Sequence, residues 1–545
     1  MYHKYFSTRN TPQTEAIPGK NMIKNRAGGF VFQIDDWKRL ERWLILGSSE
    51  PIYYASAKEL TIENAEVIAR CMKVDGMEVV SRIVEVSESG RAPRNNPALF
   101  ALAMCAGMGD AKTRTAALDA LPRVARTGTH LFTFLTYVEA FRGWGRGLKN
   151  SVARWYDNKS LDQLSYQIAK YRQRGGWTHR DVLRLSHPKT NDFLRNEVYK
   201  WIVGKTNASG FVDTEAQLLY DFERLQQAES EKSVIGILNS NRSLSWEMIP
   251  TEYLGSPKVW EALLPNLPMT ATIRNLARMT KNGLLAPMSN AAKLVCEKIT
   301  NPEHLRRARI HPFSVLKALV AYGGRRACWT SGNWPYYTTD IPEKDYQPVT
   351  WVLDALDETF YLTFDNIKPY SKRTMLALDI SGSMEFNFLT DGRKGTEISA
   401  RVASAAMAMV TARREPEHMF LGFFTQAYPL TISPRQRLDD VVKYLNAQRS
   451  GGTDCALPIQ WATKNKVPID VFVLFTDGET WAGNNGHPSQ AIIEYRQKMG
   501  IAAKMVVVGM TATGTTITDP MDAGSMSVVG FDASAPNIIS QFVAS

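Results

Sequence analysis

The stretch Met375-Leu376-Ala377-Leu378-Asp379-Ile380-Ser381-Gly382-Ser383-Met384 decides how the rest of the chain is read. Its apolar run is too short for a helix of its own and ends in Asp-x-Ser-x-Ser, the pattern of a buried strand that delivers small oxygen ligands onto one tight turn. Asp379 brings negative charge, Ser381 and Ser383 bring hydroxyl oxygens, and Gly382 lets the backbone turn between them. These ligands do not by themselves satisfy a hard cation, which prefers near-octahedral oxygen coordination at roughly 2.0–2.1 Å for Mg²⁺. Two later stretches extend the set: Gly451-Gly452-Thr453-Asp454 offers another hydroxyl, and Val471-Phe472-Val473-Leu474-Phe475-Thr476-Asp477-Gly478 is a second buried strand ending in an acid. A capped turn is the ordinary reading of Asp and Ser clusters. With the Thr and Asp loops following in order, the expectation becomes a Mg²⁺ or Mn²⁺ ion held by Asp379, Ser381, Ser383 and Thr453, with Asp477 acting through water and one position left open.

From Thr374 onward, apolar strands alternate with helical patterns: strands at 375–380, 418–424, 470–476 and 503–509, and helices at 397–413, 436–447, 488–498 and 536–543. Such alternation predicts a parallel sheet covered on both faces, with Asp379 and Asp477 at the carboxyl ends of strands, where open α/β sheets place their sites. Strand, Asp-x-Ser-x-Ser, later Thr and later Asp in this order resemble the metal-ion-dependent adhesion site of von Willebrand factor A domains.

Going back toward the N-terminus, residues 1–28 are polar, carry Pro12 and Pro18 and lack the apolar core of a signal peptide, which reads as a loose tail. Phe30-Val31-Phe32 predicts a short strand, and Asp35-Asp36 a cap before Trp37, Leu40 and Leu44 at helical spacing. From Thr61 to about Phe360 apolar residues recur at three and four positions, with breaks at Ser89-Gly90, Gly107-Met108-Gly109, Thr127-Gly128, Gly175-Gly176 and Ser256-Pro257. Successive helices joined by short turns suit an α-solenoid, with an irregular helical bundle as the alternative. A polar stretch at Asp365 to Ser371 separates this module from the one carrying the metal loop.

At 545 residues the chain calls for more than one domain, and its 44% apolar and 22% charged content is that of a folded globular protein. No apolar run is long enough to span a bilayer. Cys71, Cys105, Cys296, Cys328 and Cys455 are scattered and form no Cys-x-x-Cys, which suits thiols in a reducing cytoplasm and argues against structural zinc. The net charge of +11 is concentrated: Arg91 to Lys200 holds 19 Lys+Arg against 8 Asp+Glu, so this segment alone carries the whole excess. A local excess of that kind favours a polyanion, most often nucleic acid.

Within that basic segment, Leu164, Ile168 and Tyr171 form a buried stripe while Lys170 and Arg174 fall at i, i+4 on a neighbouring face. Gly175-Gly176 is expected to end that helix, Thr178 with Asp181 to cap the next, and Pro188 to close it. Arg180, Arg184 and His187 then point together, and with Arg172 they make a cluster of cationic or near-neutral donors with few acids nearby, a candidate phosphate contact. His179 reads as a turn residue, and Tyr166, Tyr171 and Trp177 as either stacking platforms or core. The Arg274, Arg278, Lys281 stripe reads as a solvated face.

From about Gly29 to the C-terminus the chain resembles the Ro ribonucleoprotein autoantigens, whose helical module is called TROVE. The blocks that carry the resemblance are Gly90-Arg91-Ala92 with Pro97-Ala98-Leu99-Phe100-Ala101-Leu102-Ala103, Thr129-His130-Leu131-Phe132, Trp144-Gly145-Arg146, Lys170 through His187, Arg309-Ile310-His311-Pro312-Phe313, Gly451-Gly452-Thr453-Asp454-Cys455 and Phe475-Thr476-Asp477. The resemblance implies a HEAT-like α-helical repeat ring, at 29–365, plus a Rossmann-like α/β von Willebrand factor A domain at 366–545. It implies Y-like small noncoding RNA on the outer basic surface, at Lys170, Arg174 and His187, and single-stranded 3′ ends of misfolded RNA in a central hole. It places the metal loop on Asp379, Ser381, Ser383 and Thr453, with Asp477 as outer acid. Departures fall in the N-terminal tail and in Glu385 to Gly395, an insert after the metal loop that bears on ligand access.

The reading is therefore a non-enzymatic, monomeric, cytoplasmic RNA-binding scaffold for RNA quality control, with Mg²⁺ as its cofactor. A bacterial source would add a 3′ exoribonuclease tethered through a Y RNA. Two rivals stand beside it. A metal-dependent protein-adhesion module would fill the open cation position with a partner's acid, and a metal nuclease would need a second metal or a general base that the hydroxyl-rich site lacks.

Overall fold

The computed structural model describes residues 10–47, 57–323, 345–364, 369–386, 388–389, 398–511, 513–530 and 532–544. Cys328, the 365–368 linker and most of the Glu385 to Gly395 insert lie outside them.

Helix starts in the N-terminal half are set by short polar side chains that accept from the first unpaired backbone N–H groups. Asp35, Asp110, Thr127, Ser160, Thr178, Asp192, Ser230, Ser256 and Ser289 all do this, opening helices at Asp36, Ala111, Gly128, Leu161, His179, Phe193, Glu231, Pro257 and Asn290. Alternate helices stack: Ala57–Ser89 on Ala111–Val124, that on Arg146–Asp157, and that on His179–Ser186. Asn96–Met108 packs in the same way on Gly128–Phe141. This is the solenoid arrangement, in which each unit buries its apolar face only against its neighbours. Asn96–Met108 has no polar stripe, and Ala98, Leu99 and Ala101 to Ala106 are all buried, as expected of a helix covered all round. Ala57–Ser89 is longer than the periodicity suggests and breaks at Asp75, whose φ of −156° and ψ of 97° are not helical.

The solenoid curves until its ends meet, forming a ring. His311 Nε2 donates to Arg91 O at 3.0 Å, and Arg309 Nη1 donates to Glu88 O at 3.3 Å, so the late helices dock on the end of the second one. Arg91 also carries the junction to the C-terminal domain. Its guanidinium donates to Asp532 at 2.8 Å and to Glu85 at 3.2 Å, and it bonds Glu41.

The C-terminal domain is a six-stranded sheet ordered Ser525–Val529, Lys504–Gly509, Val471–Thr476, Thr374–Asp379, His418–Phe423, Ala427–Leu430. The first five strands run parallel and the last, an edge strand, is antiparallel. Side chains alternate between faces: Leu376, Leu378, Val473 and Phe475 join the helix Ala400–Arg414 in a core continuous with the helical ring. Met375, Ala377, Phe472 and Leu474 face the opposite core, under helices Leu457–Lys464 and Pro488–Met499. The expected strands and helices are present within a few residues of their predicted ends. Ala427–Leu430, Ser525–Val529 and Leu457–Lys464 were not anticipated, because short half-buried segments lack a distinctive period.

The expectation of a loose tail at 1–28 is corrected for residues 10–28, which strap across the C-terminal domain. Gln13 is fully buried, its Nε2 donating to Asp454 Oδ1 at 2.7 Å and to Gly486 O at 3.1 Å. Asn25 Nδ2 donates to Thr480 O at 2.8 Å, and Lys20 pairs with Asp519 at 2.6 Å. Phe30–Gln33 is flanked by Ile23–Lys24 on one side and Thr515–Thr516 on the other, so the first strand belongs to the C-terminal domain's periphery. Arg42 donates to Thr513 O at 2.9 Å, Thr515 O at 2.8 Å and Ser527 Oγ at 3.0 Å, fastening the first helix to the same region. Such pairings between distant segments leave no local trace in the sequence.

Removing the Arg91 guanidinium strands the Asp532 carboxylate, which is 2% exposed. We expect Arg91→Ala to lower unfolding stability by about 3–5 kcal/mol in urea titration, with Arg91→Lys losing less.

Candidate cation site and candidate nucleic-acid interface

The Thr374–Asp379 strand has His418–Phe423 on one side and Val471–Thr476 on the other, so the chain reverses its direction of winding there. Loops leaving such a switch point diverge and open a crevice at the carboxyl ends of the strands. Asp379, Ser381, Ser383, Thr453 and Asp477 are brought to that end, all buried. Gly382 N donates to Gly451 O at 3.4 Å, joining the first loop to the second. A Cβ on Gly452 would stand 2.7 Å from the Trp481 ring, so only glycine permits this approach of the Thr453 loop.

Ser381 and Ser383 hydroxyls lie 3.3 Å apart, and Asp379 Oδ1 accepts from Ser381 N at 2.9 Å. Asp379 Oδ2 accepts from Thr476 Oγ1 at 2.7 Å, tying the two acid-bearing strands together. Asp477 Oδ1 accepts from Glu479 N at 3.0 Å. Burial, and then the Asp477 carboxylate, push the Asp379 carboxyl up to about 7. Two buried carboxylates, one of them raised by burial and by the other, beside neighbouring hydroxyls are a donor set suited to a hard divalent cation. Arg401, 3% exposed, donates to Ile380 O and Ser381 O at 3.1 Å and pairs with Glu385 at 3.7 Å, holding the loop's backbone from behind. Sequence reasoning missed Thr476 and Arg401. Adjacency to Asp477 could have flagged the first; nothing local points to the second.

The basic hairpin is built differently from the expectation. The helix ends at Lys170, not at Gly175-Gly176, and Tyr171 caps it. Gln173–Arg174 then pairs antiparallel with Trp177–Thr178, so Arg174 sits on a β-turn rather than one helical turn beyond Lys170. Positive φ values of 56° at Gly175 and 84° at Gly176 explain both glycines. Thr178 and Asp181 form the predicted capping box, and the helix stops at Ser186.

Arg172, Arg174, Arg180, Arg184 and His187 are all exposed. Among the described residues none of these arginines forms an ion pair, and Arg172 rests on the Phe222 ring at 5.3 Å. Lys170 is set apart from them. Only 12% of its side chain is exposed, its Nζ donates to Tyr166 OH at 2.9 Å, and Glu247 stands 3.6 Å away. A carboxylate across the gap already neutralises it. Trp177 Nε1 donates to Thr136 Oγ1 at 3.2 Å, which makes this ring part of the packing between repeats. Arg278 lies over Trp246 at 5.2 Å and Lys281 pairs with Asp345, in keeping with a solvated face.

His179 is corrected from turn residue to core. It is 3% exposed, bonds Tyr156 OH at 2.7 Å and lies 4.8 Å from the Phe132 ring centre. It fixes the inner side of the helix whose outer side carries Arg180 and Arg184.

A closed ring of stacked helix pairs joined to a sheet domain with a hydroxyl-rich acidic loop cluster defines a TROVE-plus-von Willebrand A protein. The TROVE domain profile matches residues 23–234 and 238–324, and the Ro60 vWA domain profile matches 373–543. The RNA-binding protein RO60 of Deinococcus radiodurans is 38% identical over 536 residues, covering 98% of this chain and 97% of that one. Its Caenorhabditis elegans counterpart of the same name is 32% identical, covering 96% and 90%. The crystal structure of the D. radiodurans RO (RSR) protein superposes with a TM-score of 0.69 at 37% identity, covering 94% of this chain and 99% of that one. The chain belongs to the Ro60 family. These relatives are named for RNA binding and not for catalysis.

Burial pulls the His179 imidazole down to about 3, below the roughly 6.5 of an unfolded chain. A depressed value means its contribution is complete above pH 6.5 and is lost as pH falls and the unfolded state takes up the proton. Between pH 7 and pH 5 we expect a loss of about 2 kcal/mol in urea melts, and a shallower loss in His179→Gln.

Proposed function

We propose that this protein is the RNA-binding scaffold of a ribonucleoprotein, acting in the cytoplasm on RNA quality control or processing as a monomer. Arg174, Arg180, Arg184 and His187, with Arg172 beside them, hold the phosphates of a Y-like small noncoding RNA on the outer wall of the ring. The observation that carries the reading is this set of exposed guanidinium groups on one hairpin, with no carboxylate paired to them among the described residues. Lys170 shapes the hairpin through Tyr166 and Glu247 rather than meeting phosphate. A central hole of limited width admits single-stranded 3′ tails of misfolded RNA and rejects duplex. In a bacterial host a 3′ exoribonuclease would join through the bound RNA.

The 379–383, 453 and 477 loops hold a divalent cation, Mg²⁺ by preference, with Asp379, Ser381, Ser383 and Thr453 as direct ligands and Asp477 through water. The Ser381 and Ser383 hydroxyls, 3.3 Å apart beside a buried Asp379 carboxyl that burial and Asp477 push up, support this. When bound, the ion would supply a coordination position for an outside oxygen.

The Arg174→Ala/Arg184→Ala variant is expected to bind a stem-loop RNA at least tenfold more weakly in gel shifts and to reduce the slope of log affinity against log salt by about 1–2. Unchanged affinity at every salt concentration would remove the hairpin from the interface. Calorimetric titration with MgCl₂ should show one binding event that Asp379→Ala abolishes; heat equal in both proteins would reject the cation site.

A further inference from the structure

The place where the helical ring closes gathers several guanidinium groups, some of them held only by backbone oxygens. Arg126 Nη1 donates to Ser87 O at 2.7 Å and Ser87 Oγ at 2.8 Å. Arg309 Nη1 donates to Glu88 O, and Arg123 grips the Glu88 carboxylate through Nε at 2.7 Å and Nη2 at 2.6 Å. Three guanidinium groups thus crowd the last turn of Ala57–Ser89. A helix C-terminus attracts cations, but its dipole is worth about half a charge and Glu88 adds one more, against three. Arg91, a few residues on, meets three carboxylates, Glu41, Glu85 and Asp532, so the guanidinium groups of the closure that have no carboxylate partner among the described residues are Arg126, Arg306 and Arg309.

The excess extends along the surface. Arg306 is exposed and has no acid partner among the described residues. With Arg309 it lines a cleft of about 200 Å³ between the late helices and the C-terminal domain, together with Ile310, Phe364 and Asn537. Arg309 holds its place at a φ of 48°, a left-handed conformation that non-glycine residues rarely adopt. Arg126 is pulled below the usual arginine range by burial first and by Arg309 second, so like charges meet across the closure.

We infer that this seam is a second RNA contact, distinct from the hairpin: Arg123, 58% exposed where Lys170 is 12% and with its Nη1 left free by Glu88 among the described residues, joins Arg126 from the same early repeat and Arg306 and Arg309 from a late one in a single basic strip, bridged by a ribose-phosphate strand. The inference rests on the RNA-binding reading above. Phosphate bound to both ends removes their repulsion only when the ends are together, so RNA binds the closed ring better than the open one and holds it shut.

The test compares the full-length wild type with Arg123→Ala/Arg306→Ala, using a stem-loop RNA with a single-stranded 3′ tail in fluorescence anisotropy over a salt series. Arg126 and Arg309 are left in place because they cap the helix. The expected result is about a tenfold loss of affinity and a salt slope lower by about 1–2. Hydrogen exchange adds an independent readout: RNA should slow exchange at 85–91 and 305–311 in the wild type and not in the variant. Should the variant be less stable, Arg123→Lys/Arg306→Lys keeps the charge and must keep the affinity. Equal affinity, slope and protection in wild type and alanine variant would overturn the seam while leaving the hairpin reading intact. A wild type that binds no RNA would overturn both.

Discussion

The Arg91 guanidinium sits among carboxylates from three parts of the chain: Glu41 on the first helix, Glu85 near the end of the second, and Asp532 after the last strand. Its own carbonyl accepts from His311, at the start of the last well-packed repeat. A solenoid has no intrinsic reason to close, since each repeat is stabilised by its neighbours alone. Closure must come from a few contacts between residues hundreds of positions apart, and here they gather at the end of the second helix, where the Glu88 and Arg91 carbonyls accept from Arg309 and His311 and the Arg91 guanidinium reaches Asp532. A buried guanidinium with several charge-assisted hydrogen bonds suits that task, because its planar fork fixes direction as well as distance.

The C-terminal domain completes the constraint from the other side. Arg42 fastens the first helix to the 513–527 region, while Arg413 stacks on Tyr361 at 3.2 Å and lies 3.8 Å from Asp357 on the final helix of the helical module. One face of its sheet shares an apolar core with the helices, and the other face is self-contained. The crevice at the switch point therefore stands on a sheet held at both ends, which keeps Asp379 and Asp477 close despite their mutual repulsion. Residues 10–28 add a strap over the neighbouring loops, with Gln13 bonded to Asp454 and Glu479 accepting from Arg26 N at 2.9 Å. The loops at the switch point are thus held by hydrogen bonds from the strap as well as from the sheet.

Much of the architecture was legible where a short period or a small residue carries the information. Asp35, Thr127, Thr178 and Ser256 open helices because each places a short acceptor before an apolar periodic run. Thr374–Asp379 and Val471–Thr476 read as buried strands because both faces are covered. The hairpin misled at one point. Lys170 and Arg174 have helical spacing, yet Gly175-Gly176 serves the turn of a β-hairpin whose first strand begins three residues after the helix ends. Periodicity could not distinguish these outcomes over so short a segment, and it could not reveal that Glu247 faces Lys170.

The amino-acid sequence by itself determined the two-module order, the sheet with its acid-bearing strand ends, the loop residues Asp379, Ser381, Ser383, Thr453 and Asp477, and the basic segment around Arg180 and Arg184. These are local properties, written in periodicity, capping and composition. Tertiary structure alone decided that the ring closes at Arg91, that residues 10–28 lie across the C-terminal domain, that His179 is core, and that Lys170 meets a carboxylate while Arg174, Arg180 and Arg184 meet none among the described residues. Those outcomes depend on which distant carboxylate or carbonyl comes within about 3 Å of a given donor. That distance is set by the sum of every helix packing angle between them, and no stretch of sequence records such a sum.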